Sequence, residues 1–413
     1  MVEFQEFFLN NGLRVFVNQD VDTSLVAFNL VYNVGARDEE AHKTGFAHLF
    51  EHLMFGGSIN IPSFDTPLQN IGGENNAFTS NDLTNYYITL PKDNLETAFW
   101  LESDRMLSLS FSEKSLSVQR QVVIEEFNQR YLNQPYGDAF LRLRPLAYKH
   151  HPYQWATIGK NIDHIKEASM EDVKGFFNRY YIPNNAVLAI SGNVTVEEIK
   201  ILSEKWFGEI PAGKANVNDY PQEPKQTEAR REEVVSNVPL DAIYIAFHME
   251  NKLHRDYYVA DLLSDILASG NSSRLFFKLV KELSFFADIS CYITGDHDRG
   301  LFVISGKINP TINMKTAEAA LWKELDLMKS TLVSKNELIR VKNKMMTSVE
   351  FAKATALNKA MALAISALLG NPNLINEEPE LYRSIREADI QRVANSILTN
   401  ENSSTLIYKK QLS

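Results

Sequence analysis

Between residues 44 and 58 the chain reads TGFAHLFEHLMFGGS, and its apolar and polar positions separate on a helical wheel. Each helical residue advances about 100°, so with His48 at zero His52 falls at about 40° and Glu51 at about 300°. Phe46, Leu49, Phe50, Leu53 and Met54 occupy the opposite arc. The pattern predicts a helix with an apolar back anchored in a core and a working face of two histidines and a glutamate. Thr44 is the expected N-cap and Gly56-Gly57 the expected stop, bounding a helix of about three turns.

Apolar and polar spacing organises the rest of the chain around that helix. Strands are predicted over 3–9, 13–18 and 25–33, the first two joined by the turn Asn10-Asn11-Gly12. A short helix over 62–70 follows, then strands over 75–79 and 85–90 about the polar turn Ser80-Asn81-Asp82. Helices are expected over 94–107, 113–132, 136–147 and 169–181, the last capped by Ser169 or Asp172, then a strand over 186–192 and a helix over 196–207. Residues 213–230, rich in proline, charge and amides, read as a linker.

The second half repeats the plan, with strands near Val234 and Ile243, helices from His254 and Ser273, strands from Ala287 and Leu301, and long helices through Leu369. One detail repeats with it. Asp172 is followed thirteen residues later by Asn185 and the strand VLAIS, and Asp389 thirteen residues later by Asn402 and TLIYK. The expected fold is α+β, with two homologous domains, each a mostly antiparallel sheet packed with helices on one face. The domains are placed at 1–212 and 231–413.

Composition narrows the chemistry. The 413 residues are 44% hydrophobic and 23% charged, as in a soluble globular protein, and the net charge of -10 argues against nucleic acid or an anionic membrane surface as partner. No apolar run is long enough to span a membrane, and MVEFQEFFLNNG lacks a basic start followed by an apolar core. The expected location is cytoplasmic as the chain stands, or periplasmic if a signal peptide has been removed. Cys291 is the one cysteine, so no intrachain disulfide or thiolate zinc cluster can form. Metal ligands must be histidine and carboxylate.

His48, Glu51 and His52 stand in the order H-x-x-E-H, the reverse of the H-E-x-x-H zinc peptidase motif. Two imidazoles at i and i+4 can hold one Zn²⁺, with a carboxylate beside the second for proton transfer. Catalytic zinc takes three protein ligands, and the third here is sought on the helix carrying QRQVVIEE at 119–126. Glu125 and Glu126 point about 100° apart, so only one can face a metal. Spacing favours Glu126, which shares a face with Gln119, and leaves Glu125 open.

Together these residues resemble the pitrilysin/insulinase family of zinc metallopeptidases, in particular its short two-domain members similar to bacterial processing proteases and the mitochondrial processing peptidase. The resemblance rests on GFAHLFEHLMFGGS at 45–58, GGENNAFTSNDLTNYY at 72–87, RQVVIEE at 120–126, HPY at 151–153 with Ile158-Gly159, and SSRLF at 272–276. It implies that His48, His52 and Glu126 bind one zinc, that Glu51 is the general base, and that Asn76-Ala77-Phe78 receive an extended substrate as an added strand. It implies a zinc endopeptidase acting on extended or unfolded peptides in a closed chamber.

Two departures from the family pattern stand out. Gln119 replaces a glutamate that supports the zinc site, which removes a charge but keeps a hydrogen-bonding group. An arginine and a tyrosine that hold substrate in the second domain fall, counting from Arg274-Leu275-Phe276, on Val280 and Ala287. Neither can donate the hydrogen bond, which implies a heterodimer whose homologous partner supplies both residues. A homodimer using donors such as Lys281 or Tyr292 is the competing arrangement, and a non-catalytic scaffold or binding subunit is the competing function. His150-His151, His248 and His254 read as structural, and Phe176, Phe177, Tyr180 and Tyr181 as core.

Overall fold

A computed structural model of the chain describes residues 1–214, 220–295 and 297–411. Its strands form two sheets, and its contacts divide the chain into two compact units. The first comprises Met1–Phe127, Trp155–Tyr220 and Glu350–Glu377, and the second Asn128–Gln154, Pro221–Val349 and Glu378–Ser413. This differs from a division at a 213–230 linker. The segments 128–154 and 350–377 each belong with the sheet encoded by the other half. Residues 215–219 of that linker lie outside the described residues.

The first stretch of chain runs β1 (Gln5–Phe8), β2 (Arg14–Gln19), β3 (Leu25–Tyr32), α1 (Phe46–Leu53), α2 (Asp65–Asn70), β4 (Glu74–Thr79), β5 (Thr84–Pro91), α3 (Leu95–Leu107) and α4 (Glu113–Phe127). It continues through α5 (Ala139–Ala147), α6 (Ile162–Lys166), α7 (Met170–Tyr180), β6 (Ala186–Gly192) and α8 (Val196–Phe207). The remainder carries β7 (Arg230–Ser236), β8 (Ala242–His248), α9 (Arg255–Ala268), β9 (Phe286–Ile293), β10 (Leu301–Ile308), α10 (Met314–Ser330) and α11 (Lys335–Ala352). It ends with α12 (Ala356–Leu368), α13 (Leu374–Ser384), α14 (Glu387–Ile397) and β11 (Ser403–Lys410).

The first sheet has the order β1-β2-β6-β3-β5-β4 and is antiparallel except for the β2–β6 pair. Alternation along β3 sends its residues to two faces. Phe28 meets Phe99 of α3 and Phe207 of α8, while Tyr32 lies 4.4 Å from Tyr181 at the end of α7. The other face, with Phe16, Ala27, Val31, Val187 and Ala189, is covered by Ala360, Leu363, Ala364 and Ala367 of α12. Lys359 pairs with Asp20, and the Arg14 guanidinium donates to the Ala367 carbonyl at the helix end.

The second sheet, β7-β11-β8-β10-β9, is antiparallel except for the β7–β11 pair, and α5 packs through Ala139, Leu143 and Ala147 on one of its faces. Strand for strand it repeats β2-β6-β3-β5-β4. The asparagine turns repeat atom for atom: the Asn185 amide donates to the Tyr180 and Asn33 carbonyls, and the Asn402 amide to those of Ile397 and His248. Asp172 pairs with Lys43 just before α1, as Asp389 pairs with Arg255 at the start of α9. The helix α9, RDYYVADLLSDILA, holds the place of α1 but contains no histidine. One unit carries the metal-site chemistry.

Two expected helices contain π-helical turns. The predicted helix over 113–132 ends as an α-helix at Phe127 and continues as a π-helical turn, Asn128–Leu132. The one expected from Ser273 is also π-helical, Phe276–Glu282.

Candidate metal centre

The helix α1 forms where the wheel places it but is shorter than expected, with eight residues and the N-cap at Gly45 rather than Thr44. Thr44 is committed elsewhere: its hydroxyl accepts the Lys160 amide and meets the His164 ring. Gly45 adopts φ 88, in the left-handed region, and a Cβ there would lie 2.7 Å from the Ile158 carbonyl oxygen. Only glycine fits that position. The apolar back packs as anticipated, with Phe50 centred 4.4 Å from Tyr181 and 5.4 Å from Phe176.

That anchoring turns His48, Glu51 and His52 outward. Packing of α4 against α1 sets the phase of the second helix. Val123 and Phe127 are buried, Glu125 is exposed, and Glu126 faces the histidines. Donor atoms of His48, His52 and Glu126 all lie within 4.8 Å of one another. The two Nε2 atoms are 3.3 Å apart, and Glu126 Oε2 is 3.6 Å from His48 Nε2 and 3.5 Å from His52 Nε2.

These edges test whether a metal fits. Two ligands about 2.1 Å from a tetrahedral ion lie about 3.4 Å from each other. The triangle has that size, its sides are long for hydrogen bonds, and its donors are the nitrogen and carboxylate oxygen that zinc accepts. Among the described residues, these three are the group of histidine, cysteine and carboxylate side chains close enough to share one ion.

Glu51 is half-buried beside this triangle, and its carboxylate accepts a 2.5 Å hydrogen bond from the Thr79 hydroxyl. Burial pushes its carboxyl above the ordinary range, opposed by the Thr79 bond and the neighbouring His52 ring. Thr79 ends β4, the edge strand of the first sheet, which also carries Asn76, Ala77 and Phe78. The Ala77 amide, opposite Tyr86, donates to the Asn76 side chain at 2.8 Å.

Gln119 lies on α4, half-buried, and its side chain makes no hydrogen bond among the described residues. The second-unit positions Val280 and Ala287 fall on the π-helical turn and on β9. Of the other histidines singled out by sequence, His150 is exposed with only its backbone amide bonded among the described residues, to Glu223, and the side chains of the remaining three have partners. His151 accepts the Tyr153 amide and faces Asp298, His248 donates to the Ala147 carbonyl, and His254 caps α9. Two residues at the site were missed by sequence reasoning. Thr79 lay inside a run already singled out, whereas Glu39, whose carboxylate accepts the Gly45 and Ala47 amides of α1, had no local signal.

Comparison with known proteins identifies the family. The family Insulinase (Peptidase family M16) matches residues 14–159, and the Peptidase M16 inactive domain matches residues 167–345. The zinc protease PqqE of Helicobacter pylori is 29% identical over 97% of this chain and 91% of its own length. The mitochondrial-processing peptidase subunit beta of Dictyostelium discoideum is 24% identical over 94% of this chain and 85% of its own. A crystal structure of a protease from Helicobacter pylori shares the fold with a TM-score of 0.94 at 28% identity, covering 99% of this chain and 100% of that one. The two M16 matches together span most of the sequence, and the chain belongs to the insulinase (M16) peptidase family.

Proposed function

We propose that this chain is a zinc-dependent endopeptidase for extended or unfolded peptides, with His48, His52 and Glu126 holding one zinc and Glu51 as general base. The observation that carries the reading is the coincidence, at one place, of a ligand triangle of tetrahedral size, a carboxylate beside it and an exposed strand edge leading to it. When bound, zinc supplies a Lewis acid that polarises a carbonyl and acidifies water. The chain's own residues do the rest. The free edge of β4 at Asn76-Ala77-Phe78 aligns a peptide backbone as an added strand, and Glu51 takes a proton at its carboxylate and returns it to the leaving amine. Thr79 holds that carboxylate in place.

The Val280 and Ala287 side chains offer no hydrogen bond to substrate, which supports a heterodimer in which a homologous chain supplies an arginine and a tyrosine to a closed chamber. In a homodimer, Lys281 or Tyr292 would have to serve. Full activity of the purified chain with no partner eliminates the heterodimer. The competing reading, a non-catalytic subunit, draws on the inactive-domain match, but that match covers 167–345 and not the histidine helix. Elemental analysis together with a Glu51→Gln variant decides between them. Zinc near one equivalent, with cleavage of an unstructured peptide abolished in the variant, is the expected result. Absence of zinc, or a variant as active as the parent, overturns the peptidase reading.

A further inference from the structure

The helix that carries His48, Glu51 and His52 begins without a cap of its own. Its first N–H groups need acceptors, and the usual source is a side chain at the N-cap. That position must be Gly45, because any Cβ would strike the Ile158 carbonyl at 2.7 Å and Ile165 Cδ1 at 2.8 Å. The acceptor comes instead from six residues earlier. Glu39 Oε2 accepts the Gly45 amide and Oε1 the Ala47 amide, both at 2.8 Å, from a carboxylate that is 7% exposed. Burial pushes the Glu39 carboxyl well above its ordinary range, and the Ala47 and Gly45 amide bonds oppose that shift.

The loop bearing Glu39 grips the substrate-side hairpin with its other end. The Ala36 and Arg37 amides donate to the Ser80 and Asn81 carbonyls at 3.1 and 2.8 Å. The Arg37 guanidinium pairs with Asp82 at 2.8 Å, both side chains buried. Gly35 packs so close that a Cβ there would sit 2.5 Å from the Asn81 oxygen. Residues 80–82 form the turn directly after Thr79, the residue that holds Glu51. Loop 35–39 therefore closes a ring: helix start, loop, hairpin turn, Thr79, Glu51 and back through the helix.

We propose that Glu39 is a positioning residue, which through this ring sets the placement of α1 against the edge strand and so the geometry of both the metal ligands and the base. The proposal rests on the peptidase reading for its kinetic consequence, but not for its effect on metal binding. A Gln at position 39 keeps one acceptor and turns an NH₂ group against a backbone N–H, so the helix start must shift.

The experiment compares the parent with Glu39→Gln by zinc titration against a chromophoric chelator, by the absorption spectrum of the cobalt-substituted protein, by amide exchange over residues 45–49, and by kinetics on an unstructured fluorogenic peptide. The expected result is zinc affinity lower by about tenfold or more, an altered cobalt spectrum, faster exchange, and kcat lower by at least about tenfold with KM within about threefold. A folded variant with parental zinc affinity, spectrum and kcat overturns the proposal, even if its thermal midpoint falls. If Glu39→Gln does not fold, Glu39→Asp, which keeps the carboxylate but shortens its reach to the Gly45 and Ala47 amides, is read in the same way. If the parent cleaves no peptide, the peptidase reading fails by itself, and zinc affinity, spectrum and exchange alone decide on Glu39.

Discussion

The Thr79 hydroxyl donates to the Glu51 carboxylate at 2.5 Å, joining the last residue of an edge strand to the histidine helix. Such a bond to a charged group contributes about 1.5–3 kcal/mol and fixes orientation. Thr79→Val is expected to lower kcat about ten- to hundredfold while leaving zinc content at the parental level. Steady-state kinetics beside elemental analysis checks it, and an unchanged kcat removes Thr79 from the machinery.

Glu125 and Glu126 are neighbours, yet only Glu126 faces the two rings. Glu126→Gln is expected to lose zinc during dialysis against a mild chelator, as is His48→Ala, whereas Glu125→Gln retains it. Equal loss from both glutamate variants contradicts the three-ligand assignment.

In the core of the first unit, Asn29 and Asn85 form a reciprocal amide pair, 2.9 and 3.0 Å, with neither side chain exposed. Removing one partner leaves a buried amide without its bond, at a cost of about 1–3 kcal/mol, while replacing both by apolar groups avoids that cost. Asn85→Leu should therefore lower the urea midpoint, and the double change Asn29→Leu with Asn85→Leu should recover much of the loss. A double variant that falls by the sum of the two single effects argues against the pair.

Acid stability follows from two bidentate pairs and one buried carboxyl. Arg274 holds Glu337 down at about 2, and Arg255 holds Asp389 down at about 2, both below ordinary carboxylates. A depressed folded value means stability that is present above the unfolded value and lost as pH falls through the folded one. Asp38 has the opposite sign. Burial raises it to about 6, so its contribution is present at low pH and lost as pH rises through about 6. The thermal midpoint should thus decline between about pH 4.5 and 2, and Arg274→Met should flatten that decline. An unaltered profile in the variant shows that the pair carries no linkage.

The sequence by itself determined what depends on near neighbours in the chain. The 100° step of a helix put His48, Glu51 and His52 on one face and the phenylalanines on the other, and alternation marked β2 to β6 close to their observed bounds. The repeat of Asp, helix, Asn and strand was legible because both copies use the same local turn, later seen as the paired Asn185 and Asn402 bonds. Only tertiary structure decided features set by distant segments. Glu126 rather than Glu125 meets the histidines because α4 packs on α1 in one rotational phase, which spacing within α4 favours but does not impose. Thr44 yields the cap to Gly45 and Glu39 because the chain at Ile158 passes too near for a side chain. The helices α5 and α12 cover the sheets encoded by the opposite halves, since an amphipathic face specifies that it be buried, not against which sheet.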